Sequence, residues 1–468
     1  MDKNTMMENL AREAHEKCGF TGTWLYAEDG EIVSKGAVGW KDPEDKLPMQ
    51  EDCLFDLGSI SKQFTAAAIM LLRRRGLLSL EDEITKFFPE IPYKGVTIRH
   101  LLNHTGGLPD YMEWFVKQWK EHNEILPNAA IVRFLCECGE PAVFAPGEKW
   151  EYCNTGYCLL AQIVEEVSGV PFEDFMRDNI FEPAGMHATR IYHRRMDKVT
   201  IPNLAYGMVL PFDSDRYLLA DDGPDSDYVI SCDGESGVGL VYSNILELFQ
   251  WDRALRAETV LTKEEQQMMY TPCKLNNGEI GGKEEGDDGY GFGWSIGLTS
   301  ELGLIVNHGG GWPGYSTWLE RFVDADRVLI LLQCRDTSDG KCGVAFSEGL
   351  RAIAKDKEPQ PLRTIEELAL QNPDRSGWAS FTGKYDYDED GFCMDEILIR
   401  DGDLYAKIRC DGSSHELKLY PMDEKTFGMK PYCRNITFGD DSLTLWGTTG
   451  KKLPESSNES EREYVHHS

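Results

Sequence analysis

Ser59-Ile60-Ser61-Lys62 places a hydroxyl and an amine three residues apart. On a helix that begins at Ser59, residues i and i+3 lie one above the other, so the Lys62 amine stands beside the Ser59 hydroxyl. A serine is a weak nucleophile until a neighbouring base takes its proton, and a desolvated lysine can help as that base. The amino end of the helix also offers a backbone N–H to a developing oxyanion. An ordinary serine helix cap fits the same four residues. Tyr152-Cys153-Asn154 is a second candidate. A phenol near an ammonium can serve as general base for the serine and then as acid for the leaving group, while the Asn154 amide holds a substrate carbonyl. A core tyrosine followed by a capping asparagine is the plainer reading. The third is Asn307-His308-Gly309-Gly310-Gly311, after the strand Leu304-Ile305-Val306. Glycines there let a substrate lie against the strand edge, and the Gly311 N–H could complete an oxyanion hole. A Gly-rich hairpin turn is the alternative.

The elements between these segments must bring them together. Gly22–Tyr26 and Glu31–Ala37 flank an Asp29-Gly30 turn and read as a β-hairpin. From Ser59 the pattern turns helical: Phe64, Ala67, Ala68, Leu71 and Leu72 share a face, and Gly76 is a natural stop. Residues from Ile84 to Phe181 read as helices and loops, with a clear helix from Thr155 to Val167. Strand composition recurs near Gly237–Tyr242, Tyr290–Ile296, Leu302–Asn307, Thr317–Phe322 and Val328–Cys334, the last three as antiparallel neighbours. A helix over Gly343–Lys355 precedes the proline-bearing stretch Pro359 to Asp374. Short alternating runs then follow, Gly383–Tyr387, Glu396–Arg400, Leu404–Ile408, Leu417–Tyr420, Thr426–Met429 and Leu443–Trp446, and predict a small all-β module. The expected divisions are 1–358, a linker at 359–374, a β module at 375–454 and a mobile Ser- and Glu-rich tail at 455–468.

Composition narrows the function. The chain has 468 residues, with 48 Lys and Arg against 80 Asp and Glu, a formal net charge of −32. Such a surface repels phosphate backbones and anionic lipid, which argues against nucleic-acid and membrane partners. No apolar run is long enough to span a bilayer, and Met1 to Met6 shows no secretory signal, so a cytoplasmic enzyme is expected. The thirteen cysteines form no CxxC pair and are expected to be mostly buried thiols. The acidic run Asp221-Asp222 to Asp233 lacks the order of a calcium loop and reads as solvated, so neither a metal nor a cofactor is expected.

The order and spacing of the three motifs carry more than any one of them. Tyr152 follows Ser59 by 93 residues and His308 follows Tyr152 by 156. Leu101-Leu102-Asn103-His104-Thr105-Gly106-Gly107-Leu108 looks like an LLxHTSGL stretch, and Gly237-Val238-Gly239-Leu240-Val241-Tyr242-Ser243 like a GxGGLxST segment. Over residues 20–355 the chain resembles the serine β-lactamase and D-Ala-D-Ala carboxypeptidase family, in the class C-like branch that includes esterases and D-aminopeptidases. The resemblance implies an α+β fold, an antiparallel sheet flanked by helices with a mostly helical region, and the site between them. It implies that Ser59 is the acylated nucleophile, Lys62 its proton partner and Tyr152 the base and acid. Asn154 would orient the substrate, and Ser59 and Gly311 would supply the oxyanion hole.

Two departures from the family pattern bear on substrate. His308 stands where β-lactamases of this branch carry the lysine of K-[ST]-G, so the hold on a substrate carboxylate weakens. Cys153 replaces the usual Ser or Ala and is expected to point away from the nucleophile. The expected activity is therefore hydrolysis of a small ester, amide or D-amino-acid peptide through an acyl-enzyme, with weak β-lactamase activity at most. A catalytically silent penicillin-binding scaffold and an acyltransferase are the alternatives. His104 reads as a structural histidine, and Tyr111, Trp114, Trp312 and Tyr315 as candidates for an apolar pocket or for packing. The β module is expected to stabilise or dimerise the chain, leaving a homo-oligomer open, or to drop a loop over the cleft.

Overall fold

The computed structural model describes residues 1–42, 46–212, 214, 216–283, 287–389, 392–410 and 413–454. The tail expected from Glu455 lies outside the described residues.

A seven-stranded antiparallel sheet is built from the two ends of the first 333 residues. Strands β1 (Gly22–Glu28) and β2 (Glu31–Val38) come from the beginning of the chain. The others are β3 (Gly289–Tyr290), β4 (Ser295–Thr299), β5 (Gly303–Trp312), β6 (Tyr315–Phe322) and β7 (Arg327–Gln333). Their order is β3-β4-β5-β6-β7-β1-β2, so β1 closes onto β7 with Gly22 opposite Gln333. The β1–β2 turn is the expected one: Asp29 and Gly30 both take positive φ, +48° and +80°, the two-residue geometry that matches strand twist.

Both faces of this sheet are covered, which is why its central strands are continuous apolar runs. Successive side chains point to opposite faces. Trp24, Tyr26, Leu329 and Leu331 pack on one side with Met7, Leu10, Phe346 and Leu350. These four come from α1 (Lys3–Cys18) and from the helix Gly340–Ala354 near the far end of the domain. Leu25, Ala27, Val328, Ile330 and Leu332 face the larger core beneath the helical region. The N-terminal helix was not foreseen, although Asp2 caps it by accepting the Thr5 N–H and Met7, Leu10, Ala11 and Ala14 mark its buried stripe.

The helical region lies between the two sheet-forming parts of the chain. Helix α2 (Ser61–Arg74) is buried from Ser61 to Leu72, and α3 (Asn154–Ser168) packs against it and ends at Gly169 with φ +74°. The expected helix start at Ser59 resolves into a single 3₁₀ turn, Gly58–Ile60, that leads into α2. The glycine-rich run at 309–311 is strand rather than turn; the reversal comes at Pro313-Gly314. The acidic run is not a solvated loop. Asp233 is fully buried and pairs with Arg195 at 2.9 Å, while Asp221 pairs with Arg194 and Arg195. A carboxylate taken out of water needs such partners.

The C-terminal unit is all-β. Its first strand, Gly383–Asp386, pairs both with the last, Thr448–Lys452, and with Phe392–Arg400, which closes the sheet into a barrel. Phe381, Phe427, Phe438, Leu443 and Leu445 are among the side chains that fill it. Strands Asn435–Phe438 and Thr448–Lys452 were not anticipated, the second because Thr-Thr-Gly-Lys-Lys has no apolar alternation. The segment before the barrel is pinned: Leu362 and Ile365 are buried, and Asp339 accepts the Ile365 N–H at 2.7 Å. Most cysteines are buried.

β6 is tied to the helical region by an ion pair hidden from solvent. Arg321 donates to Asp252 at 2.6 Å and to the Tyr270 hydroxyl at 2.7 Å. Removing one partner leaves a buried charge uncompensated. Asp252→Ala is expected to cost about 3–5 kcal/mol, read from the shift in urea midpoint at constant slope.

Candidate active site

The turn carrying Ser59 is held from three sides. Asp56 accepts the Gly58 N–H at 2.9 Å, Leu57 N–H donates to Val241 O at 2.9 Å, and Thr317 Oγ1 donates to Leu57 O at 2.7 Å. Burial pushes the Asp56 carboxyl up to about 6. Gly58 has φ +51°, and a Cβ there would lie 3.0 Å from Gly311 N. Glycine is thus required on both steric and conformational grounds. The close approach brings the 3₁₀ turn directly against β5.

Lys62 reaches the Ser59 hydroxyl as its spacing foretold. Its amine donates to Ser59 Oγ at 2.8 Å, to Asn154 Oδ1 at 2.9 Å and to Val238 O at 3.2 Å. Three acceptors match the three N–H donors of an ammonium. The side chain is fully buried, with no carboxylate in ion-pair contact among the described residues. Glu235, three residues before Val238, has Oε2 buried and unpartnered, and burial raises it well above the ordinary carboxylate range. That favours the neutral acid.

Tyr152 arrives by a different contact from the expected one. The Lys62 amine lies over its ring, 4.8 Å from the centroid, and the phenol hydroxyl has no hydrogen-bond partner among the described residues. The reason is His104. Its ring packs on Tyr152 at 4.3 Å and 31°, its carbonyl accepts the Glu151 N–H at 3.0 Å, and its Nδ1 accepts the Cys153 N–H at 3.2 Å. One histidine, held at φ +59°, thereby fixes the backbone on both sides of Tyr152. This is the structural role read for it from the sequence. Cys153 turns away, donating toward Leu108 O at 3.4 Å, and burial pushes its thiol up to about 12. That is the environment of an inert cysteine.

Asn154 opens α3, and its backbone N–H donates to Asp110 at 2.9 Å. Its side-chain oxygen is taken by Lys62, which leaves the amide N–H₂, 3.7 Å from Met112 Sδ, to meet a substrate carbonyl. His308 sits on β5 and is almost wholly buried. Its Nδ1 is 2.6 Å from Gly309 O and its Nε2 is 2.9 Å from the Tyr290 hydroxyl. A carbonyl only accepts, so Nδ1 carries the hydrogen and Nε2 accepts from Tyr290. Burial first, and then the Lys62 charge, lowers His308 to about 4.

The two glycines of β5 do different things. A Cβ on Gly310 would fall 1.9 Å from Leu57 O and 2.2 Å from Thr317 Oγ1, whereas one on Gly311 would meet nothing within 4 Å. Gly310 lets the strand close on the Ser59 turn, and Gly311 faces open space. Beyond Gly311, Trp312 stacks on Tyr228 at 4.9 Å, and the Tyr228 hydroxyl lies 3.3 Å from Met112 Sδ. Of the aromatics proposed for an apolar wall, Tyr111 and Tyr315 are core residues and Trp114 packs on Phe115 and Phe134; Trp312 reaches the site. Asp110, Met112, Tyr228 and Tyr290 had no motif to announce them.

Comparison with known proteins agrees in extent. The family model described as Beta-lactamase matches residues 7–343. A penicillin-binding protein of Bacillus subtilis (strain 168) is 37% identical over 450 residues, covering 94% of this chain and 95% of its own. An esterase of Burkholderia gladioli is 23% identical, covering 70% of this chain and 90% of its own. Among solved structures, the octameric penicillin-binding protein homologue from Pyrococcus abyssi superposes with a TM-score of 0.64 at 24% identity, covering 96% of this chain and 99% of that one.

The site predicts its own acid sensitivity. His308 has an ordinary value of 6.5 and a folded value near 4. Between these two, the unfolded chain binds a proton that the folded chain refuses, so stability falls as pH drops through that window and is complete above it. His308→Gln should lose less stability than the parent between neutral pH and about pH 5, by urea titration. Gly310→Ala should unfold or destabilise the protein by about 3 kcal/mol or more, while Gly311→Ala should leave the urea midpoint nearly unchanged.

Proposed function

The chain belongs to the β-lactamase family of serine hydrolases, and on that footing we propose that it hydrolyses a small, uncharged ester or amide through an acyl-enzyme on Ser59. The contact that carries this reading is the 2.8 Å hydrogen bond between Ser59 Oγ and a buried lysine with no carboxylate partner.

Ser59 Oγ attacks the substrate carbonyl carbon, and the carbonyl π pair moves to oxygen. The oxyanion lies toward the Ser59 and Gly311 N–H groups, and the unhindered face at Gly311 supports that placement. Tyr152, with the Lys62 amine over its ring, serves as the base that takes the Ser59 proton as the new C–O bond forms. It returns that proton to the leaving alkoxide or amine as the old bond breaks. Its hydroxyl, free of protein partners among the described residues, tightens onto the reacting groups once substrate is bound. Asn154 holds the acyl side through its amide N–H₂. Water then attacks the ester on Ser59 by the same steps in reverse order, giving the free acid.

Uncharged substrates are favoured by what surrounds His308. The ring is neutral near pH 7 and both nitrogens are already engaged. A carboxylate brought there would be desolvated with no free donor to pair with, because the Lys62 amine is already taken by three acceptors. The apolar wall of Met112, Tyr228 and Trp312 suits an alkyl or aryl group instead. The relative in Burkholderia gladioli that bears the name esterase agrees with this choice.

Ser59→Ala should abolish both p-nitrophenyl ester turnover and covalent labelling by a fluorophosphonate, measured by intact mass. Lys62→Ala and Tyr152→Phe should each lower kcat by about 10²–10⁴-fold while leaving the fold intact by circular dichroism. Nitrocefin should be a far poorer substrate than a p-nitrophenyl ester. Undiminished turnover in Ser59→Ala, or nitrocefin preferred over the ester, would overturn the assignment.

A further inference from the structure

At the end of the sheet where β1 begins and β7 finishes, a cavity of about 270 Å³ opens between Trp40, Arg216, Tyr217, Leu219, Asp222 and Arg335. It is lined by none of the residues placed around Ser59. Tyr217 is fixed by its hydroxyl, which donates to Asp336 O at 3.1 Å, and the Arg335 guanidinium lies flat on its ring at 3.5 Å from the centroid. The Arg335 Nε is sealed from solvent with no acceptor.

Of the two arginines, Arg335 is half-buried and Arg216 is exposed. Arg194, Arg195, Arg253, Arg321 and Arg327, none of them exposed, have carboxylate partners, whereas exposed arginines such as Arg133 and Arg190 have none among the described residues. Neither Arg216 nor Arg335 has one among the described residues. A guanidinium held rigid on an aromatic face, partly desolvated and unpaired, is costly to keep unless something anionic completes it. Its planar fork matches a carboxylate, and the walls supplied by Trp40 and Leu219 are apolar.

We propose that this cavity binds a small organic carboxylate with an apolar body, its charge on Arg335 and Arg216 and its body against Trp40 and Leu219. Asp222, the one carboxylate among the described lining residues, has the sign to meet an α-ammonium, so a free amino acid and a simple carboxylic acid share the chemistry. The volume suits a ligand near the small end of the range for specific pockets.

The test is calorimetric titration of the full chain with 3-phenylpropionate, its amide 3-phenylpropionamide and phenylalanine. Binding of 3-phenylpropionate at one site is expected, unchanged in Ser59→Ala, with the amide weaker by about tenfold or more. Arg335→Gln should weaken 3-phenylpropionate by about tenfold or more, and ester turnover by that variant reports that it is folded. Leu219→Trp, which fills the cavity without touching a charge, should abolish binding. Tighter binding of phenylalanine would bring Asp222 into the site, and the reverse order would assign a simple acid. No binding of 3-phenylpropionate at about 10 mM, equal binding of acid and amide, or undiminished binding in folded Arg335→Gln or Leu219→Trp overturns the proposal.

Discussion

The Lys62 amine is fully buried, and each of its three N–H donors ends on an acceptor from a different part of the chain. An ammonium removed from water costs several kcal/mol unless its hydrogen bonds are replaced. The turn before α2, the first residue of α3 and the loop at Val238 must therefore meet within hydrogen-bonding distance. That meeting is the active site. The same contacts that keep the charge tolerable in the interior hold Ser59 Oγ and the Asn154 amide in fixed orientation, so stability and chemical readiness rest on one arrangement.

The approach of the helical region to the sheet depends on absent side chains. A Cβ on Gly58 would crowd the backbone of Gly310 and Gly311, and one on Gly310 would run into the carbonyl of Leu57, so a methyl group at either position works against the junction of the turn with β5. Gly311, one residue on, has no such neighbour. Close packing on one side of the strand and free space on the other is what a substrate carbonyl needs if it is to reach a rigid N–H without displacing the protein.

Electrostatics then sets the character of this site. His308 and His104 both lie near Lys62, and burial together with that charge holds both below the ordinary histidine value. The two rings therefore add no positive charge beside Lys62 near neutral pH. Two neutral histidines still do structural work. His104 clamps the residues flanking Tyr152, and His308 anchors Tyr290. A neutral ring can donate at one nitrogen and accept at the other, which a lysine cannot do, and each of these rings accepts a hydrogen bond that orders the aromatic wall.

Much of this was written in local sequence. The Asp29-Gly30 hairpin, the apolar periodicity after Ser59, the i, i+3 placement of Lys62 and the short alternating runs of the barrel follow from turn chemistry and side-chain period, which act over a few residues. The N-terminal helix obeyed the same rules, with its Asp2 cap and its stripe from Met7 to Ala14, and needed only to be looked for. Other features had no local cause. That the acidic run ends on a buried Asp233 depends on Arg195, 38 residues away. That Lys62 lies over the Tyr152 ring rather than at its hydroxyl depends on His104. The choice of Trp312 over Tyr111 and Tyr315 as a wall, and the neutrality of His308, were decided by which surfaces the packed core left open. Sequence specifies which groups can do chemistry; their distances, burial and charge states are set by contacts between segments that become neighbours only when the chain is folded.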